Sequence, residues 1–485
     1  MINYNTAFRA ALMPKIRGMG DARVIVKKPS GTWLADLRGT HIKSVEFNTQ
    51  VDPLCRSLPT ETLTVEVYDL DGDLNPGDPD SKFGRLTGKE TVELSIRIQD
   101  ENGVWRYGHS GDGWDAAIPL KYHLTGGASY DGTVVKLSAV RLLSSLTKTF
   151  TGLYDTSGDV TTNTLKDVML TSSSSGSDHG LQTNVEAAGG SIVYDDFRSF
   201  AINDANYIGT TELRDALLQV GVASGTMLYT NENDVIRLTK YHNTHPSVVT
   251  SDDQLSRPTL ESTPALQDEI VVARSVGEQP ETPERITVGT VEGVYPAGET
   301  TILVEFSAPV KSGTLQHQDT NCTVRPISYT SSSAWVRFTP TDPTQEIKVE
   351  LTAEEIPVKS IRYVHHVNDS GNDEELRCDL VSPKTAPTIA GIRANYITTM
   401  TETYRIKYRG DPSIFVNDII RISIGGQVRT CLVIGTKFSI GTSFSGELTV
   451  KPYPIGTLHP YSHIAIAGEA IAGDAICGND RPEVV

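Results

Sequence analysis

Five cysteines are all this chain of 485 residues contains, and they are scattered: Cys55, Cys322, Cys378, Cys431 and Cys477. Their number is odd and no CxxC pair occurs, which excludes a zinc ribbon or a thioredoxin-like redox pair at the level of motif. Free thiols of a protein made in a reducing compartment fit this pattern. No run of about 18 uncharged apolar residues is present, so no membrane-spanning helix is expected. The opening MINYNTAFRAALMPKIRG lacks the apolar stretch of a secretory signal. Positive charge is short: 43 Lys and Arg stand against 60 Asp and Glu, a net charge of −17. That balance argues against a protein that grips nucleic acid along its length, because phosphate binding needs clustered cations. HExxH, P-loop, GxGxxG and GxSxG signatures are all missing, and no spacing singles out a catalytic pair among the acids. Enzymatic activity is therefore not expected, and neither is a cofactor.

What is present is β-rich and segmented. The length suggests about three domains at roughly 150 residues each. Hydrophobic residues make up 38%, enough for real cores, which sets the chain apart from disordered sequences. Charge is uneven along it. Residues 1–50 carry Arg9, Lys15, Arg17, Arg23, Lys27, Lys28, Arg38 and Lys43 against Asp21, Asp36 and Glu46, a net of +5, which leaves −22 for the remainder. A positive end on a negative body suits head-to-tail contact between copies or with an acidic neighbour.

Phe8, Ala11, Leu12 and Ile16 predict a short amphipathic helix over 5–16. Alternating or β-branched runs then predict strands at 22–28, 43–47, 62–70, 91–98 and 133–140, a barrel or sandwich. Residues 139–146 and 164–170 have helical spacing, and 171–180 is a polar loop. TTELRDALLQVG (210–221) predicts a helix capped by Thr210 or Thr211 and broken by Gly221 and Gly225. A hairpin follows over 226–241 with its turn at Asn231–Asp234. After the linker VGEQPETPER, the span 286–367 reads as a sandwich or barrel with Trp335 as its core aromatic. Ile389, Ile392, Tyr396 and Met400 mark a helix over 388–402, and strands follow at 418–424, 427–434 and 446–451.

Candidate sites are few. In DLDGDLNPGDPD (69–80), Asp69, Asp71, Asp73 and Asn75 alternate as oxygen ligands of a calcium ion would. The EF-hand pattern fails there, with Leu74 at the glycine position and Asp80 at the glutamate position, so a polar turn is the simpler reading. His242 and His245, His365 and His366, and His459 and His463 come close in sequence without a cysteine pair beside them. Adjacent strand residues such as His365 and His366 point to opposite faces and cannot share one metal. No metal site is assigned. Arg409-Gly410-Asp411-Pro412 reads as a turn into a strand. The pentapeptides AIAGE, AIAGD and AICGN (465–479) repeat Ile466, Ile471 and Ile476 between small residues. Such a segment is too thin to form a core of its own and is expected to be an extended docking arm.

Three blocks resemble the tail hub proteins of tailed bacteriophages, of the siphophage type. They are VDPLCRSLPTETLTVEVYDLDGDLNP (51–76), TTELRDALLQVGVASGTMLYTNENDVIRLTKY (210–241) and DLVSPKTAPTIAGIRANYITTMTETYRIKYRGDPSIFVNDIIRIS (379–423). Their order and spacing match over about 1–460. The resemblance implies a β-rich multidomain α+β chain with tube-like β barrels or sandwiches. Its units are an N-terminal β-barrel domain at 1–150, a small α+β domain at 151–275, a sandwich or barrel at 286–370, a helix plus β domain at 376–460 and the arm at 461–485. It further implies a structural virion protein made in the bacterial cytoplasm. Three copies would form a hub ring at the tail tip, joining the six-fold tube to three-fold tip parts. Implied partners are tail tube and distal-tail proteins, the tape-measure protein, and tail fibres or tip proteins recruited as separate chains. DNA would pass through the lumen without specific binding. The alternative is a receptor-binding or carbohydrate-binding tail adhesin acting through 286–370.

Overall fold

The computed structural model describes residues 20–453 except 85, 101, 108–112, 115–118, 151–163, 171–179, 196, 198–210, 241, 263–266, 278–282, 312, 326, 330–332, 357, 368–371, 379, 383 and 442–443. The helix expected at 5–16 and the repeat bearing Ile466, Ile471 and Ile476 lie outside the described residues. Strands dominate, as the alternating patterns require.

The largest element is a 15-stranded sheet that draws on both ends of the chain. Its first half holds Gly20–Lys27, Trp33–Arg38, Ile42–Gln50, Thr60–Tyr68, Thr91–Gln99, Leu120–Leu124 and Val134–Val140. In Thr60–Tyr68 every second residue is buried, so Leu63, Val65 and Val67 enter the core while Thr60, Thr62 and Thr64 face outward. Its second half holds Thr403–Tyr408, Asp418–Ile424, Gln427–Ile440 and Phe444–Pro452. One strand joins the halves. Gln427–Ile440 pairs through Gly435–Ile440 with Val45–Gln50 on one edge and with Phe444–Pro452 on the other. Phe47 and Phe438 are directly opposite in that ladder, with ring centroids 4.9 Å apart, and Phe438 stacks again on Phe444 at 6.0 Å. A single hydrophobic cluster consequently runs from Val24 to Val450.

Strand pairing cuts across the expected unit 151–275. Its hairpin, Met227–Thr230 against Ile236–Thr239, has the expected turn, closed by Asp234 N donating to Asn231 O at 3.0 Å. Asn243–Val249 and Thr259–Ser262 belong to the large sheet instead, paired with Asp418–Ile424 and Thr403–Tyr408. Gln267–Gly277 lies between Val358–His366 and Asn372–Arg377 in a third sheet. Composition could not show this, because all of these segments are equally strand-like.

The helix expected at 210–221 spans Leu213–Ser224. Gly225, in the left-handed region at φ 65°, ends it, whereas Gly221 is inside it and does not break it. A Cβ at Gly221 would lie 2.8 Å from Cys55 Sγ, so this glycine lets the helix approach the N-terminal domain. Thr211 does not cap the helix, and Thr210 lies outside the described residues; Glu212 occupies the N-cap position and makes no side-chain capping bond. The later helix spans Ala386–Thr399 and buries Ile389, Ile392 and Tyr396.

Residues 285–354 form two facing sheets. One holds Arg285–Gly293, Ile347–Glu354 and Gln316–Thr320, the other Thr300–Glu305, Ser333–Pro340 and Cys322–Val324. Their shared core contains Phe338, Val336, Val349 and Leu351. Trp335 is not its core aromatic: it is 40% exposed, and Phe338, three residues on and therefore on the other face, fills that place.

Gly446 gives a direct test of the joint. A Cβ there would lie 2.5 Å from Tyr408 Cε1 and 2.9 Å from Gly410 Cα, and the second contact is backbone that cannot swing away. Gly446→Ala is expected to cost about 1–3 kcal/mol, as overpacking does, read as a lower urea midpoint at unchanged slope. An unchanged midpoint would show that this packing is slack.

Candidate functional site: a charged seam and its surroundings

Where the N-terminal domain, the hairpin unit and the C-terminal β domain meet, the core turns polar. Glu61 falls on the inward face of Thr60–Tyr68, in line with Leu63 and Val65, and is 1% exposed. Both its oxygens accept from Thr230, one from the backbone N at 2.8 Å and one from Oγ1 at 2.8 Å. Arg141, which follows Val134–Val140 at the parity of Val135, Leu137 and Ala139, is 0% exposed. Its guanidinium lies 4.9 Å from the Tyr122 ring centroid and 5.3 Å from that of Phe415. It is thus held between aromatic rings of both β domains. Asp234, at the hairpin turn, accepts from Leu142 N at 3.2 Å, and its other oxygen meets His123 Nε2 at 3.0 Å.

Removal from water raises the Glu61 carboxyl from 4.5 to about 7, and the nearby Arg141 charge and the Thr230 bonds hold it from going higher. Nearby, His242 Nδ1 donates to Asn417 Oδ1, and Asn417 Nδ2 donates to Tyr229 OH at 3.1 Å. Burial lowers His242 from 6.5 to about 4, so it is neutral at physiological pH. The Cys55 thiol is pushed up to about 12 by burial and donates to Thr226 O at 3.0 Å, which makes it an inert packing group.

The weak calcium candidates Asp69, Asp71, Asp73 and Asn75 make local contacts. Asp69 Oδ1 accepts from Leu74 N at 3.1 Å, Asp73 pairs with Lys82, and Asn75 Oδ1 accepts from Gly77 N at 2.8 Å. Asp71 is exposed. These are the local bonds of a polar turn. No group of three or more His, Cys, Asp or Glu that could hold a metal occurs among the described residues. His366 lies beside Glu269 at 3.1 Å, on the opposite side of its strand from His365. In the Arg409-Gly410-Asp411-Pro412 turn, Asp411 is buried and its Oδ1 accepts from Ser413 N at 2.9 Å, so the tripeptide is not presented to a partner.

Neither a protein-family model nor a curated protein matches the chain. Solved structures do. The 43 kDa tail protein of prophage MuSo2 from Shewanella oneidensis is 9% identical, with 88% of this chain and 98% of that one covered at a TM-score of 0.45. A tail protein from Neisseria meningitidis MC58 is 10% identical, with 91% and 98% covered at 0.46. Prophage tail protein gp18 from Listeria monocytogenes EGD-e is 9% identical, with 88% and 94% covered at 0.40. The chain is similar to tail proteins.

Two outcomes are expected from the seam and the turn. Between pH 4.5 and about 7 the folded state keeps the Glu61 proton and the unfolded state releases it, so this group's contribution to stability falls as pH rises through that window. His242 acts oppositely: as pH falls from 6.5 to about 4 the unfolded state takes up a proton that the buried ring refuses, and stability falls with it. Glu61→Gln keeps an acceptor for Thr230 and cannot ionise. Relative to wild type it should gain about 2–3 kcal/mol between pH 4 and pH 8 in urea titrations. A difference independent of pH would show that Glu61 titrates normally. Separately, Asp71→Asn with Asp73→Asn should leave the melting temperature unchanged, with or without chelator. A chelator-sensitive wild type and an insensitive variant would restore the calcium reading.

Proposed function

We propose that the chain is a structural protein of a phage tail tip, three copies of which close a hub ring around the tail axis. The observation that carries this reading is the joining of two β domains side by side in one sheet through the ladder of Val45–Gln50 and Gly435–Ile440. A rigid pair of such units repeated three times would present six positions to a six-fold tube while keeping three-fold symmetry below. Ordered strand joints suit this work better than hinged domains, because a ring under load must hold its radius. The three sequence blocks that resemble tail hub proteins support the same reading, as does a seam whose charged groups are buried away from any substrate.

In this reading the lumen is neutral or acidic, since a conduit must not retain phosphates, and the −22 carried beyond residue 50 serves there. DNA and the tape-measure protein pass through it. Residues 461–485, with Ile466, Ile471 and Ile476, form an arm that docks on a neighbouring subunit, fibre or tip protein. Tail tube and distal-tail proteins lie above. Trp335, exposed beside Arg337 and the Glu299 that binds Arg325 at 2.8 Å, favours a second reading in which 286–370 is a glycan-binding adhesin face.

One experiment separates the two. A label fused to this chain and imaged on intact particles should sit at the tail tip on the tube axis, in three copies. Six equivalent copies would favour a distal collar, and a label on lateral appendages would favour the adhesin.

A further inference from the structure

The seam contains a charge whose side chain bonds nothing. Arg141 is 0% exposed, and Nε, Nη1 and Nη2 of its guanidinium all lack a hydrogen-bond partner among the described residues. The Tyr122 hydroxyl, within the field of that charge, is also buried and also without a hydrogen bond. Protein interiors seldom leave such donors unsatisfied, because a dry guanidinium forfeits all of its hydration.

Arg97 shows what a satisfied arginine between rings looks like in the same domain. Its guanidinium lies 4.1 Å and 4.5 Å from the Trp105 and Trp114 ring centroids. Its Nε and Nη2 donate to Asp21, and its Nη1 donates to Tyr107 OH at 3.0 Å. Arg141 stands farther from its two rings, at 4.9 Å and 5.3 Å, and its nitrogens meet no acceptor.

An opposite charge is close by. Arg141 N donates to Glu61 O at 3.1 Å, one step beyond the Thr62–Val140 pair of the ladder, and both side chains turn inward. Cross-strand neighbours of opposite charge ordinarily pair directly. Here each is held elsewhere, Glu61 by Thr230 N and Oγ1, and Arg141 between the rings of Tyr122 and Phe415. Each Glu61 oxygen accepts one of those bonds and keeps a lone pair for another. A group joining the two must accept from the guanidinium and donate to the carboxylate. An anion has nothing to donate, and Glu61 and Asp234, whose charges both bear on Tyr122, would repel it. Water does both.

We propose that Arg141 and Glu61 form a water-separated ion pair, in which buried water accepts from the Arg141 guanidinium, donates to Glu61 and meets the Tyr122 hydroxyl. Water in this place lets Arg141 stay between rings of both β domains while Glu61 stays on the hairpin. It is then a component of the joint among three units, and the inference does not depend on the ring reading above.

A crystal structure of the full chain, grown in bromide, tests it. Solvent density should lie within about 2.7–3.2 Å of both a guanidinium nitrogen and a Glu61 oxygen, without an anomalous bromide signal. In solution, oxygen-17 magnetic relaxation dispersion counts long-lived internal waters. Arg141→Met, with its fold checked by circular dichroism, should lose at least one of them relative to wild type. Should that variant fail to fold, the wild-type density alone decides. A guanidinium with no solvent in reach, whether bonded directly to Glu61 or not, would overturn the proposal, as would an unchanged water count in folded Arg141→Met. Bromide at the guanidinium would overturn it in favour of an anion site.

Discussion

The architecture depends on one strand having two partners. Gly435–Ile440 completes the sheet of the C-terminal β domain on one edge and of the N-terminal domain on the other, with Phe438 stacked against a ring from each side. Its partners on the N-terminal side lie almost four hundred residues earlier. Pairing at such separation is entropically late, because the whole intervening chain is closed into a loop before the ladder repays it. The N-terminal domain therefore cannot complete its sheet until nearly the whole protein exists. A half-made chain is left with an open edge at Ile42–Gln50, which makes that edge the point at which aggregation competes with folding.

The charged seam beneath this joint serves geometry more than raw stability. A buried ion cluster of this kind is often no better, energetically, than well-packed apolar residues. What it adds is selectivity. Arg141 has to reach the rings of Tyr122 and Phe415 together, and Glu61 has to meet the Thr230 backbone, so only one mutual placement of three units satisfies the set. Arg393 repeats the device farther along: buried in the helix Ala386–Thr399, it donates to Leu54 O at 2.8 Å and pairs with Glu374, tying that helix to the N-terminal domain.

Element type was largely readable from the sequence, and the β-rich α+β character with it, because period-two burial is written directly in runs such as TETLTVEVY. Partner choice was not. Nothing in Gly435–Ile440 announces that it continues past 434 to bridge two domains, since the residues that require it are distant in sequence. The seam carries a signal of its own in the sequence: Glu61 shares parity with Leu63 and Val65, and Arg141 with Leu137 and Ala139, and a charge in phase with core residues marks a buried ion. Trp335 and Phe338 show the reverse limit. Their opposite faces were legible, but which face is inside depends on the second sheet of the sandwich. Gly221 looked like a helix stop, and only its contact with Cys55 shows it to be a spacer.

The 285–354 sandwich is threaded between Gln267–Gly277 and Val358–His366, and these two strands are neighbours in one ladder, with Gly277 directly opposite Val358. The chain leaves the body and re-enters it one rung apart. Such a socket is indifferent to its cargo. Whatever folds between those two positions, whether short hairpin, sandwich or larger module, imposes the same end-to-end spacing on the strands that hold it, and the register of the sheets around it does not change. The 285–354 module can thus diversify without disturbing the joint between the two β domains.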